Sequence, residues 1–102
     1  MIKTLATVAA ISAALLPGVA SANMELAKSK NCLACHAMDQ KLVGPSYKEV
    51  AAKYKGDASA VGKMATKIQK GGAGAWGPVP MPPHPNVSDA EAQTLAKWIL
   101  AQ

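Results

Sequence analysis

Two cysteines stand three positions apart, and a histidine follows the second directly, in Asn31-Cys32-Leu33-Ala34-Cys35-His36. They are the only cysteines in the 102 residues. Two thiols at this separation can add across the two vinyl groups on one edge of a haem, giving two thioethers. C-x-x-C-H is the attachment pattern for that chemistry. His36 then falls beneath the ring, where an imidazole nitrogen can bind the iron as its proximal ligand.

Other chemistries of the same residues fit less well. A structural zinc site needs about four Cys or His ligands. Cys32, Cys35, His36 and His84 just reach that number, but Cys35 and His36 are adjacent and there is no second close pair. A redox-active thiol pair needs a βαβ setting, and no strand pattern supplies one. A disulfide between Cys32 and Cys35 would close a very short loop and stabilise little.

A haem iron held by His36 has a second axial position. Met24, Met38, Met64, Met81, His84 and the lysines are the candidates. Met38 is two residues from His36, and two residues span at most about 7 Å, too little to pass round the ring. Met24 lies just upstream of the motif and is similarly placed. Met64 falls in a helical apolar stripe, where core packing is the ordinary role. Met81 lies 45 residues beyond His36, and Pro80 and Pro82 on either side of it restrict the backbone. His84 shares that loop and competes, although its ordinary reading is a solvent-facing loop residue. The spacing favours Met81 as the distal ligand, and a thioether there raises the potential relative to a second histidine.

The elements that must position these groups are helical. A short first helix is expected over Met24 to Lys30, with Glu25 in its first turn and Lys28 and Lys30 in its last. Tyr47, Val50, Ala51 and Tyr54 recur at helical spacing, so Ser46 to Lys55 reads as a helix with Ser46 and Glu49 as a capping box. Asp57 is expected to open the next, whose apolar face is Val61, Met64, Ala65 and Ile68 and which Gly71-Gly72 stops. Residues 71–86 hold four glycines, five prolines and no charged side chain, so they form an irregular loop. Ser88 and Glu91 form another capping box before a helix to Gln102, with Ala92, Leu95, Trp98 and Ile99 on one face.

The chain opens like an exported one. Lys3 precedes the uncharged apolar run Leu5 to Leu16, Pro17-Gly18 is expected to break it, and Ala20-Ser21-Ala22 has the form of a cleavage site. The run is too short for a membrane span, which needs about 20 residues. Residues 1–22 are therefore expected to be a cleaved signal peptide, and 23–102 one domain. A domain that small often needs a staple, and a covalent haem would supply it, consistent with four aromatics and no Phe. The formal net charge is +5 and every cation is a lysine. Cleavage removes Lys3 and leaves +4, and two haem propionates would lower it to about +2. The lack of Arg weighs against nucleic acid, where Arg is the commonest base reader. A mild positive charge suits steering toward acidic protein surfaces.

Residues 24–102 resemble the small bacterial class I cytochromes c of the c-551/c-552 type. The likeness is carried by the haem motif, by Val43-Gly44-Pro45, by the loop Trp76-Gly77-Pro78-Val79-Pro80-Met81-Pro82-Pro83, and by the helix from Ser88 to Trp98. It implies an all-α fold of about four short helices wrapped around one haem c, with Met81 as the distal ligand. It further implies that the carbonyl of Pro45 accepts from His36 and that the indole of Trp76 donates to a haem propionate. One departure stands out: His84-Pro85-Asn86 follows the two prolines, where the family commonly places Asn directly. Either His84 or Asn86, or neither, could then contact the Met81 sulfur.

The function expected from these features is a periplasmic one-electron carrier, not an enzyme, because both axial positions are filled and no acid/base pair stands beside them. Leu33, Leu42, Val43, Pro78, Val79, Pro80 and Pro82 could form an apolar rim around the exposed haem edge, ringed by lysines. Such contacts suit transient docking with redox proteins, namely reductases, oxidases or membrane cytochrome complexes. No membrane span is expected in the mature chain, and it is expected to be a monomer. The competing class is a gas sensor in which Met81 leaves the iron; a haem peroxidase would need an open iron site.

Overall fold

The computed structural model describes residues 17–102, with side-chain surroundings from Ala22 onward. Most of the expected signal segment, residues 1–16, lies outside the described residues. The elements are α1 (Pro17–Ser29), a 3-10 turn (Cys32–Ala34), α2 (Tyr47–Lys53), α3 (Ala60–Lys70) and α4 (Asp89–Leu100). Among the described residues there is no strand, only two isolated bridges, His36 with Lys41 and Gly72 with Met81. The all-α expectation and the number of helices hold.

The last helix is the frame. Leu95 and Ala96 are fully buried, and Trp98 and Ile99 nearly so. Each large apolar side chain so buried contributes about 1.5–3 kcal/mol. α4 packs against α3, α2 and α1, in one cluster with Ala27, Tyr47, Val50, Ile68 and Val87. Its start is fixed by a complete capping box. The Ser88 hydroxyl accepts from the Glu91 amide at 3.1 Å, and Glu91 Oε1 accepts from the Ser88 amide at 3.0 Å. Lys30 joins the end of α1 to this corner, donating to the Asn86 carbonyl at 2.8 Å and lying 3.6 Å from Glu91.

Three boundaries depart from the sequence reading. In the full chain α1 begins at Pro17, upstream of Met24, because proline is well suited to the first helical position and opens this helix where it was expected to break the apolar run. Glu25 is consequently in the body of α1. α3 begins at Ala60, not Asp57. The Asp57 carboxylate instead accepts from the amide and hydroxyl of Ser59, at 2.8 and 2.6 Å, closing a local turn ahead of the helix. α2 is shorter than expected, and Ser46 caps it by accepting from the Glu49 amide at 3.1 Å.

Candidate haem site

The turn that carries the cysteines is 3-10, not α. With three residues per turn, positions i and i+3 eclipse, so Cys32 and Cys35 share one side. The chain enters it through Asn31, whose φ of 63° is left-handed, a conformation that asparagine tolerates. The Cys35 and His36 amides both donate to the Cys32 carbonyl, at 3.2 and 3.0 Å, and complete the turn. Burial pushes the Cys32 thiol above its ordinary value. A redox couple needs the reverse, a thiol depressed toward thiolate.

The loop after the motif folds back beneath the imidazole. His36 Nδ1 lies 2.8 Å from the Pro45 carbonyl. A carbonyl only accepts, so Nδ1 carries the hydrogen and Nε2 keeps its lone pair. Gly44 makes this approach possible, since a Cβ there would lie 2.5 Å from the imidazole carbon Cε1. On its other side the ring stacks on Tyr47, with centroids 5.4 Å apart and planes 21° from parallel. Tyr47 in turn meets the edge of Trp98 at 5.3 Å, so α4 holds the histidine through a tyrosine.

The glycine- and proline-rich loop lines the same cleft as His36. Gly72 and Met81 pair in both directions, with N···O distances of 3.0 and 2.8 Å. Gly71, at φ 69°, lies against the Met81 carbonyl, and any side chain there would collide with it. The cleft has a volume of about 490 Å³, within the usual range of about 300–1,000 Å³ for small-molecule sites. Cys32, Cys35, His36, Pro45, Trp76 and Met81 all line it. The six site residues read from the sequence therefore converge.

Other expectations fare differently. Met64 lines the cleft as well as packing on the core. Met24 and Met38 pack against the core and do not line the cleft. His84 is half-buried instead of facing solvent, its Nδ1 3.2 Å from the Ile68 carbonyl. The Met81 sulfur has no hydrogen bond from His84 or Asn86 among the described residues. Trp76 is 41% exposed. Lys53 Nζ sits 4.4 Å from its ring and donates to the Ala75 carbonyl at 2.7 Å. Sequence reading missed that clamp and the Tyr47 stack, since neither leaves a local periodicity.

The cleft fits a haem on its own chemistry. Its lining is mostly apolar and includes two half-buried thiols, an imidazole with one nitrogen free, and a thioether. The Tyr47 hydroxyl is buried without a hydrogen-bond partner, and burial, then the Cys32 thiol, push it well above the ordinary phenol value. Among the described residues no three His, Cys, Asp or Glu side chains are grouped so that they could hold a metal ion, so the zinc alternative lacks its ligand set. Fold and site together define an all-α domain built to hold one covalently attached haem. The cytochrome c profile matches residues 22–102. The chain is 60% identical over 77 residues to cytochrome c-551 of Pseudomonas aeruginosa, covering 76% of this chain and 73% of that one. It is 57% identical over 86 residues to cytochrome c-552 of Hydrogenobacter thermophilus, covering 84% and 87%. The crystal structure of Nitrosomonas europaea cytochrome c552 superposes with a TM-score of 0.75 at 51% identity, covering 76% of this chain and 96% of that one. This chain belongs to the cytochrome c family. It is a monohaem electron carrier with covalently bound haem c and not an enzyme, and Cys32 and Cys35 fit the haem-binding motif.

Proposed function

We propose that this protein is an exported, periplasmic electron carrier in which Cys32 and Cys35 form the thioethers, His36 is the proximal iron ligand and Met81 the distal one. The observation that supports the reading is that His36 and Met81 line one cleft, His36 bonded to the Pro45 carbonyl and Met81 paired through its backbone with Gly72. The haem supplies one-electron chemistry, cycling its iron between Fe(III) and Fe(II). The chain's own residues do the rest. Pro45 keeps Nδ1–H engaged and so aims the other imidazole nitrogen. The Gly72–Met81 pair and the flanking prolines hold the thioether. Trp76 offers its indole N–H at the cleft for a propionate.

Leu42, Val43 and Val79 are 47%, 59% and 62% exposed, and Val43 and Val79 line the cleft itself. They form the apolar part of a small docking face, with Lys41, Lys63 and Lys67 also along the cleft. The partners are redox proteins bearing acidic surfaces, reductases, oxidases or membrane cytochrome complexes, met by a monomer. Among the described residues no helix is long and apolar enough to cross a membrane. Residues 1–22 act as a signal peptide, so secreted protein should have the mass of the chain from Asn23 plus one haem.

Mutation of the two cleft methionines tests the ligand assignment. Met81→Ala should abolish the Met–iron charge-transfer band of the oxidised protein and lower its potential. Met64→Leu, a volume-conserving swap, should keep the band. The reverse pattern would assign the iron to Met64.

A further inference from the structure

The stretch after Met81 reads Pro82-Pro83-His84-Pro85. Proline has no amide hydrogen, so His84 is the one residue of the four able to tether this stretch through its backbone N–H. It does so, donating to the Gln69 carbonyl at 3.1 Å. Its side chain repeats the contact one residue back, Nδ1 to the Ile68 carbonyl at 3.2 Å. Both carbonyls belong to the last turn of α3, where a helix has no partners of its own to offer. The Lys67 carbonyl there is already taken by the Gly71 amide at 2.8 Å. Met81 is thus held by the Gly72 pair on its own backbone, just beyond the end of α3, and by the His84 contacts to α3 three residues later.

We propose that His84 is a positioning residue for Met81: by filling two of the carbonyls at the end of α3, those of Ile68 and Gln69, it keeps the thioether against the haem iron. Its side chain acts through the backbone and not through the sulfur. This rests on Met81 being the distal ligand. Losing the ring leaves the Ile68 carbonyl without its partner and removes one of the two His84 contacts that tie the loop to α3. An external ligand binds only to the lifted form, so its apparent affinity scales with the lifted fraction.

Imidazole titration of the oxidised holoprotein at neutral pH, followed by the Met–iron charge-transfer band, tests the idea. His84→Ala should bind imidazole about two- to tenfold more tightly, the range expected for one lost hydrogen bond. His84→Gln, which keeps an N–H donor, should recover most of the difference. Gln69→Ala is the control. Its side chain ties α3 to the Val87 carbonyl and Asp89, at 3.1 and 2.8 Å, so it should lower the unfolding midpoint and leave imidazole affinity alone. An unchanged affinity in His84→Ala, or an equal gain in Gln69→Ala, overturns the proposal. Should His84→Ala yield no holoprotein, amide hydrogen exchange in the unmutated protein decides: the His84 and Met81 amides should open together, and independent opening overturns it. A band absent from the unmutated protein, or one that survives Met81→Ala, defeats the ligand assignment and this proposal with it. A band lost in Met81→Ala leaves the assignment standing, and the His84 variants then judge the proposal alone.

Discussion

His36 and Pro45 are joined by a single 2.8 Å hydrogen bond from the imidazole to the backbone, nine residues apart along the chain. That bond decides which imidazole nitrogen is free. The residue before Pro45 must be small for it to form, since a Cβ at Gly44 would collide with the ring. The tautomer of a metal-binding histidine is commonly fixed this way.

Gly44→Ala should therefore disturb both stability and the site. Its Cβ would meet two imidazole atoms, Cε1 at 2.5 Å and Nδ1 at 2.8 Å. Overpacking of this kind costs about 1–3 kcal/mol. Denaturant unfolding should show that loss, and the His36 Nδ1–H resonance should move as the bond to Pro45 is strained. Unchanged stability together with an unmoved resonance would mean that the loop yields freely.

Lys53 is expected to steady Trp76. An exposed cation–π contact is worth about 0.5–1 kcal/mol, and here it is joined by the bond to Ala75. Lys53→Ala should speed amide exchange across residues 73–78 and leave α4 unaffected. Equal acceleration in both regions would show that the lysine supports the whole domain instead.

Acid stability should depend on Glu91. The Ser88 amide, and to a lesser extent the Ser88 hydroxyl and Lys30, hold its carboxyl below the ordinary range. A depressed folded-state pKa stabilises above the unfolded-state value, about 4.3, and that stability is lost as pH falls through the lower folded-state value. Glu91→Gln should thus narrow the gap between melting temperatures at neutral pH and near pH 3. An identical gap in both proteins would remove Glu91 from the acid response.

Electron transfer to an acidic partner should slow as salt rises. The lysine excess is modest, and exposed charges are screened beyond about 8–10 Å at physiological ionic strength. A moderate decline is expected between low and physiological salt. A flat profile would leave Leu42, Val43 and Val79 to account for docking without charge.

Much of this molecule is legible in its sequence because the informative contacts are local. The haem motif, the Ser88–Glu91 box and the apolar faces of α2, α3 and α4 all repeat within a turn or two of helix. The loop could be read because proline and glycine restrict backbone in known ways. What escaped depends on residues far apart in the chain. Nothing near Lys53 signals Trp76, and nothing near His84 signals the carbonyls of Ile68 and Gln69. Tyr47 read as a helix-face residue, and only the fold shows that it stacks beneath His36. Pro17 and Asp57 misled for a different reason: each can either start or precede a helix, and local rules do not choose.

Carbon monoxide binding to the reduced protein tests the central claim most directly. If Met81 stays on Fe(II), a metal that soft ligands such as thioether suit, no iron position is open. Pro78, Pro80, Pro82, Pro83 and Pro85 limit what the unfolded loop can gain in entropy, and the Gly72 pair holds the Met81 backbone. The account predicts slow and weak carbon monoxide binding by the unmutated protein at neutral pH, and fast binding by Met81→Ala. Rapid, stoichiometric binding by the unmutated protein would contradict it and point to a sensor whose methionine leaves the iron.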